Sequence, residues 1–230
     1  MDKIKVIGFD ADDTLWVNEP YFRAAENNFC GLLAGYLPPD KIAGELFTTE
    51  IKNLELYGFG AKGFMLSAIE TALRISRNTV PAATLRKMLS SGRRLLDFPI
   101  ELLPGAERVL LALKPKYRLV LITKGDLLDQ ERKLRKSGLE KCFHHVEILS
   151  SKEKKDYKDL LATLGVAPRD FLMVGNSLKS DILPVLGIGG SGVYIPFRVT
   201  WQHETTRKGA PHHPRFRQIA EISGLPALLK

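Results

Sequence analysis

The chain has 230 residues, and 34 Lys and Arg against 26 Asp and Glu give it a formal charge of +8. Its composition, 44% hydrophobic and 26% charged, is that of a soluble globular protein with a sizeable core. No apolar stretch reaches the roughly 20 residues that cross a bilayer, and the first residues lack a secretory pattern. We therefore expect a cytoplasmic protein with no membrane partner, in which Cys30 and Cys142 are reduced thiols.

The basic charge suits an anionic small molecule as well as a nucleic acid. The basic residues are dispersed, with runs at 131–136 and 152–158 and several near the end, including Arg207, Lys208 and Arg217. They are not interleaved with aromatic residues as in a single-strand-binding surface. Nucleic-acid binding is therefore not expected, and the oligomeric state stays open.

Along the chain, residues 5–10 (KVIGFD) form a buried strand that ends at Asp10. Residues 16–98 follow with apolar residues at helical spacing and no convincing strand. Breaks at Pro and Gly divide this stretch into about four helices. We interpret it as a helical cap inserted after the first strand.

Strands and helices then alternate. The helices cover residues 103–116, 126–138 and 154–165, and the strands cover residues 117–123, 144–150, 170–176 and 192–197. This alternation predicts an α/β fold with a doubly wound, Rossmann-like parallel sheet. The core would comprise residues 1–15 and 99–230, ending in a loop and one short helix. The glycines of GIGGSG (187–192) precede a strand rather than a helix, so they indicate a turn and not a dinucleotide site.

In such a sheet, ligands bind beyond the carboxyl ends of the strands. The first strand ends in the sequence DADDT (10–14), and the second ends at Thr123, followed by Lys124 and Gly125. The fourth ends at Asn176, five residues before Asp181, and Lys152 lies just beyond the third. Carboxylates, a hydroxyl, an amide and a lysine should therefore meet at one edge.

This set resembles the haloacid dehalogenase (HAD) superfamily over nearly the whole chain. FDADDTL, LVLIT, Lys152 and VGNSLKSD match the family's four motifs in order. The resemblance implies that Asp10 is a nucleophile that forms an aspartyl-phosphate. Asp12, on the same side of the extended chain, would protonate the leaving oxygen and later deprotonate water.

The resemblance also implies a Mg²⁺ cofactor, a hard cation that favours oxygen ligands. Asp10 and the backbone carbonyl of Asp12 would bind it, with Asn176, Asp181 or both. This cation would offset the repulsion among the carboxylates of the DADDT segment.

Thr123, with the N–H groups of Lys124 and Gly125, would bind a phosphoryl oxygen. Lys152 would neutralise charge on the phosphoryl group and hold Asp10. Asp13 is interpreted as solvent-facing or as a turn residue.

The sequence departs from the family pattern at Asn176, where an acid is usual, so the choice between Asn176 and Asp181 as direct ligand is open. The active-site lysine is Lys152 or, as second choice, Lys155. In the cap, Tyr57, Phe59, Lys62 and Phe64 are candidates for substrate contact or for helix packing. Trp16 and Asn18 are candidate hinge or pocket residues.

An acid at Asp12 favours phosphoryl transfer, because a departing halide needs no proton. The predicted function is a Mg²⁺-dependent phosphatase for a small phosphorylated metabolite. The alternatives are a hydrolytic 2-haloacid dehalogenase and a non-catalytic binding protein of the same fold. A signalling receiver domain is disfavoured, because the third strand ends without an aspartate.

Overall fold

A computed structural model describes residues 4–206 and 209–229. Arg207 and Lys208 lie outside the described residues. The contacts divide the chain into two compact units. The first contains the residues up to Glu19, Ile100–Lys124 and the chain from Gln130 onward, and the second contains Pro20–Pro99 and Gly125–Asp129. The sequence placed its boundaries at 15/16 and 98/99 and did not assign residues 125–129 to the helical segment.

The first unit contains a six-stranded sheet in the order β3-β2-β1-β4-β5-β6, and every neighbouring pair is parallel. This architecture confirms the predicted α/β, Rossmann-like fold. The strands are β1 Val6–Phe9, β2 Arg118–Lys124, β3 His145–Leu149, β4 Phe171–Gly175, β5 Ser191–Tyr194 and β6 Phe216–Gln218. The helices of this unit are α5 Ala106–Leu113, α7 Lys154–Leu164, α8 Leu183–Leu186 and α9 Leu225–Leu228, and it also contains most of α6 Leu127–Ser137.

Both faces of the sheet are buried. Successive side chains of a strand point to opposite faces, so one strand contributes to the apolar clusters on both. Ile7 and Phe9 of β1 belong to one apolar cluster, with Leu121 and Val174 of the neighbouring strands. Val6 belongs to a second cluster on the opposite face, which includes Tyr157 and Leu161 of α7. Helices therefore cover each face, as expected for parallel strands that read as continuous apolar runs.

Gly8 shows how closely the strands pack at the centre of the sheet. A Cβ atom at this position would lie 2.7 Å from both Ile122 and Phe171. The side chains of the two neighbouring strands thus fill the space above Gly8, which fixes β1 between β2 and β4.

The C-terminal segment differs from the prediction of a loop plus one short helix. It adds a sixth strand, β6, which pairs with β5 through Gly192, Val193 and Tyr194. A strand of three residues is too short to give a periodicity signal, so only the tertiary pairing reveals it. The GIGGSG segment begins directly after α8, forms a turn, and provides the first two residues of β5, Ser191 and Gly192, in agreement with its interpretation as a turn before a strand.

The second unit contains four helices, α1 Glu19–Leu32 (which begins one residue before the unit), α2 Pro39–Tyr57, α3 Ala61–Ile75 and α4 Ala82–Asp97. Its apolar core includes Leu33, Ile42, Leu46 and Ala72, each at most 1% exposed. Cys30 and Cys142 are both free and buried. Among the described residues, no helix combines the length and apolar character that a membrane crossing requires.

Candidate active site

The sheet register brings the carboxyl ends of β1, β2 and β4 level with one another. Phe9 pairs with Leu121 of β2 and with Val174 of β4. Asp10 follows Phe9, and its N–H donates to the carbonyl of Val174 at 2.9 Å. Thr123 and Asn176 each lie two residues beyond their paired positions, so the predicted groups converge at this edge.

The DADDT segment forms a turn closed by its own hydrogen bonds. The hydroxyl of Thr14 donates to Asp10 Oδ2 at 2.9 Å, and the N–H of Leu15 donates to the carbonyl of Ala11 at 2.8 Å. Asp13 has a left-handed φ of 59° and is 6% exposed. Asp13 is therefore a turn residue, and the solvent-facing alternative is wrong.

The carboxylate of Asp13 is buried because it binds backbone donors. It accepts from the N–H of Asn18 at 2.8 Å and from the N–H of Glu19 at 3.0 Å. Burial, the largest influence, raises the pKa of Asp13 to about 8, although these two hydrogen bonds lower it. Asp13 thus holds the backbone of the segment that leaves the turn.

Lys152 lies between two carboxylates. Its Nζ atom is 2.5 Å from Asp10 Oδ1 and 2.8 Å from Asp181 Oδ1. The side chains of Lys152 and Asp181 are each 1% exposed, and that of Asp10 is 10% exposed. The second-choice lysine, Lys155, lies exposed on α7.

This cluster carries two carboxylates and one ammonium group. Burial alone would lower the pKa of Lys152, but Asp10 and Asp181 outweigh it and raise that pKa well above its ordinary value. Burial, the largest influence, raises the pKa of Asp10 to about 7, with Lys152 acting against it and Asp181 adding to it. The charge balance leaves room for a further cation, which would lower the pKa of Asp10.

Asp181 folds back onto the end of β4. Its Oδ2 atom accepts from the N–H of Ser177 at 2.9 Å, while Oδ1 accepts from Lys152. A Cβ atom on Gly175 would lie 2.2 Å from Asp181 Oδ2, so only glycine at this position leaves room for that carboxylate. Both oxygens of Asp181 therefore already have partners.

Asn176 lies beside the oxygens of the DADDT turn. One terminal atom of its amide is 3.1 Å from Asp10 Oδ2 and 3.2 Å from the carbonyl oxygen of Asp12. With nitrogen at this position the amide donates to both oxygens. With oxygen there, that atom lies 3.1 and 3.2 Å from two other oxygens, close to the roughly 3 Å spacing of adjacent ligands in an octahedral Mg²⁺ shell.

The donor set therefore fits Mg²⁺, with one carboxylate, one backbone carbonyl and one amide. Within residues 4–206 and 209–229, no group of three or more His, Cys, Asp and Glu side chains is arranged to hold a metal ion. A site of the present kind contains only one such side chain, because its other two ligands are a main-chain oxygen and an amide.

The carboxylate of Asp12 is surrounded by three donors, of which the sequence analysis singled out only Trp16, as a hinge or pocket candidate. It accepts from Trp16 Nε1 at 2.7 Å, from Gln130 Nε2 at 3.0 Å and from Lys133 Nζ at 3.0 Å. Lys133 also donates to Asn18 Oδ1 at 2.7 Å. Gln130 and Lys133 lie on α6, more than 110 residues from Asp12, and their exposed-helix pattern gave no signal.

Thr123 is 2% exposed at the end of β2. The side chain of the next residue, Lys124, donates to Ser180 Oγ at 2.9 Å and to Glu204. The side chain of Lys124 is therefore engaged elsewhere, and the group that Lys124 offers to a phosphate is its backbone N–H. Gly125, with φ of 145°, opens the short segment that groups with the helical unit.

Glu204 itself was not singled out, although its segment TWQHE (200–204) was interpreted as covering the sheet edge near the site or simply packing there. It lies in a 3₁₀ turn, Gln202–Glu204, beyond β5. Its Oε2 atom accepts from Ser177 Oγ at 2.5 Å and from Ser180 Oγ at 2.6 Å, and its Oε1 atom accepts from Lys124. Burial, the largest influence, would raise the pKa of Glu204, but Lys124 and the two hydroxyls outweigh it and lower the pKa to about 2.

The substrate-contact candidates of the helical unit have partners within that unit. Tyr57 donates from its hydroxyl to Glu70 Oε1 at 2.6 Å, and Lys62 Nζ donates to Asp126 Oδ1 at 2.9 Å. Phe64 packs edge-on against Phe22, with ring centroids 5.7 Å apart. Phe64 thus serves helix packing, whereas substrate contact by Tyr57, Phe59 and Lys62 stays a prediction.

Comparison with known proteins supports the family resemblance and the fold. The family model of haloacid dehalogenase-like hydrolases matches residues 4–187. A glyceraldehyde 3-phosphate phosphatase of Pyrococcus furiosus is 27% identical over 205 residues, covering 86% of this chain and 82% of that protein. The crystal structure of a haloacid dehalogenase-like family hydrolase from Xanthomonas campestris is 38% identical, with a TM-score of 0.89, covering 99% of this chain and 91% of that chain. A 2-haloacid dehalogenase from Pseudomonas syringae shares the fold, with a TM-score of 0.67 and 19% identity over 98% of both chains.

Proposed function

The chain belongs to the haloacid dehalogenase-like hydrolase family and is therefore an enzyme, and on that premise we propose that it is a Mg²⁺-dependent phosphatase. Its substrate is a small phosphorylated metabolite, and the reaction proceeds through an aspartyl-phosphate at Asp10. The observation that carries the proposal is the buried cluster of Asp10, Lys152 and Asp181 beside a second acid, Asp12.

In the first step, a carboxylate oxygen of Asp10 attacks phosphorus, and the bond from phosphorus to the ester oxygen breaks. Asp12 gives its proton to the leaving oxygen, which departs as an alcohol. In the second step, Asp12 takes a proton from water as the water oxygen attacks phosphorus, and the bond from phosphorus to the Asp10 oxygen breaks. Inorganic phosphate is released and Asp10 is regenerated.

Other residues of the chain hold the reacting groups in place. Lys152 neutralises charge on the phosphoryl oxygens and fixes Asp10 through its 2.5 Å hydrogen bond. Thr123 and the N–H groups of Lys124 and Gly125 bind the phosphoryl group. The hydrogen bonds from Trp16, Gln130 and Lys133 fix the position of the Asp12 side chain.

Asp10, the carbonyl of Asp12 and Asn176 would hold Mg²⁺, with Asp181 supporting the site through Lys152 and the N–H of Ser177. When bound, Mg²⁺ offsets the repulsion between the carboxylate of Asp10 and the incoming phosphate. The short distances from the Asn176 amide to the other two ligands favour Asn176 over Asp181 as the direct ligand.

Asp12 favours a phosphatase over a hydrolytic dehalogenase, because halide departure requires no acid. The relative from Pyrococcus furiosus is named for a three-carbon phosphate ester, which supports a small phosphorylated substrate. The role of the helical unit as a cap that selects the leaving group stays a prediction from the family resemblance.

The test is an assay of purified protein on p-nitrophenyl phosphate and a panel of sugar, triose and nucleoside phosphates, with Mg²⁺ or with EDTA. Chloroacetate is included in the panel, and Asp10→Asn is the control. Phosphate release that requires Mg²⁺ and disappears in D10N is expected. Halide release from chloroacetate without a metal would instead establish the dehalogenase, and activity retained by D10N would overturn the role of Asp10.

A further inference from the structure

The loop beyond β5 returns to the edge of the sheet where the candidate active site lies. The N–H of Ile195 donates to the carbonyl of Gly175 at 2.9 Å, so the loop starts beside the end of β4. Nine residues later, Glu204 meets the turn that follows β4. Its side chain is only 12% exposed.

The three donors to Glu204 come from two different active-site segments. Ser177 and Ser180 lie between Asn176 and Asp181, next to the proposed metal ligand and its support. Lys124 directly follows Thr123, the proposed phosphate-binding hydroxyl. One carboxylate thus joins the segment after β2 to the segment after β4.

The same turn is closed by a second layer of hydrogen bonds. Ser177 Oγ accepts from the N–H of Ser180 at 3.0 Å while it donates to Glu204. The N–H of Ser177 donates to Asp181, which in turn accepts from Lys152. Rotation of the Ser177 side chain would therefore disturb the turn that carries Asn176 and Asp181.

We propose that Glu204 is a positioning residue that fixes the turn from Asn176 to Asp181 and thereby sets the affinity of the site for a divalent cation. The proposal rests on the metal site of the proposed function, although not on the identity of the substrate. Glu204 acts through Lys124, Ser177 and Ser180, and it does not contact the reacting atoms.

The matched control uses a second attachment of the same loop. Lys179 Nζ donates to the carbonyl of His203 at 2.8 Å and contacts His203 Nε2 at 3.1 Å, on the exposed side of the turn. Lys179→Met loosens the loop without touching the Glu204 carboxylate. Any effect of general loop mobility should therefore appear in K179M as well as in Glu204→Gln.

The test is titration of the metal-free protein with Mn²⁺, followed by electron paramagnetic resonance, for wild type, E204Q, Glu204→Asp and K179M. We expect the Kd for Mn²⁺ to rise about tenfold or more in E204Q, as for other residues that orient metal ligands. E204D should fall between E204Q and wild type, and K179M should match wild type. Thermal unfolding without metal reports whether each variant is folded.

Wild-type affinity in a folded E204Q, or an equal loss in K179M, would overturn the proposal. If E204Q does not fold, Ser180→Ala removes one donor to the same carboxylate and should also weaken Mn²⁺ binding. A wild type that binds Mn²⁺ but hydrolyses no phosphate ester would contradict the proposed function alone. A wild type that binds no Mn²⁺ would contradict both.

Discussion

The ammonium group of Lys152 lies 2.5 Å from Asp10 Oδ1, in a site where the lysine side chain is 1% exposed. The same Nζ atom contacts Asp181 at 2.8 Å, so one lysine neutralises two carboxylates that come from different strand ends. The arrangement depends on charge balance, because buried carboxylates without a partner are strongly destabilising.

Lys152→Met should therefore abolish most activity and destabilise the fold. Two buried carboxylates lose their shared cation. Removal of one partner of a buried ion pair lowers the free energy of unfolding by about 3–5 kcal/mol. Loss of charge stabilisation should lower kcat/KM about 100-fold or more. The measurements are denaturant unfolding and kcat/KM under conditions where K152M is folded.

Lys155→Met is the matched control, because Lys155 lies exposed in the first turn of α7, three residues after Lys152. It should retain wild-type stability and kcat/KM. An inactive K155M variant together with an active K152M variant would reverse the assignment of the active-site lysine.

Asn176 offers a test of the metal ligands. Asn176→Asp should tighten Mg²⁺ binding, because a carboxylate replaces a neutral amide beside Asp10 Oδ2. Without metal, N176D should unfold at a lower temperature than wild type, because it adds like charge. Asn176→Ala should weaken Mg²⁺ binding. Calorimetric titration gives the three affinities, and equal values in wild type and both variants would exclude Asn176 as a ligand.

Gly175 tests the position of the Asp181 carboxylate. Gly175→Ala places a Cβ atom only 2.2 Å from the present position of Asp181 Oδ2 and should displace that side chain from Ser177 and Lys152. We expect kcat/KM to fall at least about tenfold and Mg²⁺ affinity to decrease.

Gly187→Ala controls for the general effect of adding a methyl group in this region. Its Cβ atom would meet Lys154 Cε at 2.3 Å, the far end of a flexible side chain on an exposed residue, which can move away. Activity equal to wild type is expected in G187A. Equal activity in G175A would show that the position of Asp181 is not needed.

The sequence predicted the family and the fold class because both depend on local patterns. Apolar strands between amphipathic helices indicated the parallel sheet, and the motifs lay at the strand ends. The strand β6 has only three residues, is formed by pairing with β5, and could not be recognised from the sequence.

The missed site residues share one property, which is distance along the chain. Lys133 reaches Asp12 across 121 positions, and Glu204 reaches Lys124 across 80. Each resembles an ordinary surface charge in the sequence, and a single sequence contains no signal that pairs such distant residues. For Asp13 the turn alternative is confirmed, whereas the solvent-facing alternative is wrong because backbone donors of the following segment bind its carboxylate.

Glu204 predicts a specific dependence of stability on pH. Its pKa falls from 4.5 to about 2 in the folded protein, so the ionised group contributes stability above pH 4.5. That contribution, at most about 3 kcal/mol, is lost as the pH falls from about 4.5 to 2.

The stability difference between wild type and Glu204→Gln should therefore be largest above pH 5 and should shrink at lower pH. Urea unfolding at a series of pH values measures it. A difference that is independent of pH would contradict the ionised Glu204 network.

The covalent role of Asp10 is tested most directly by acid quenching of the enzyme during turnover of a phosphate ester with Mg²⁺, followed by peptide mass spectrometry. Asp12→Asn with p-nitrophenyl phosphate serves as a companion sample, because p-nitrophenolate leaves without an acid, whereas loss of the base that activates water should prolong the intermediate. A phosphoryl adduct on Asp10, absent from D10N and from samples with EDTA, is the predicted result. Steady release of phosphate with no adduct in any quenched sample, or an adduct on another residue, would contradict the account.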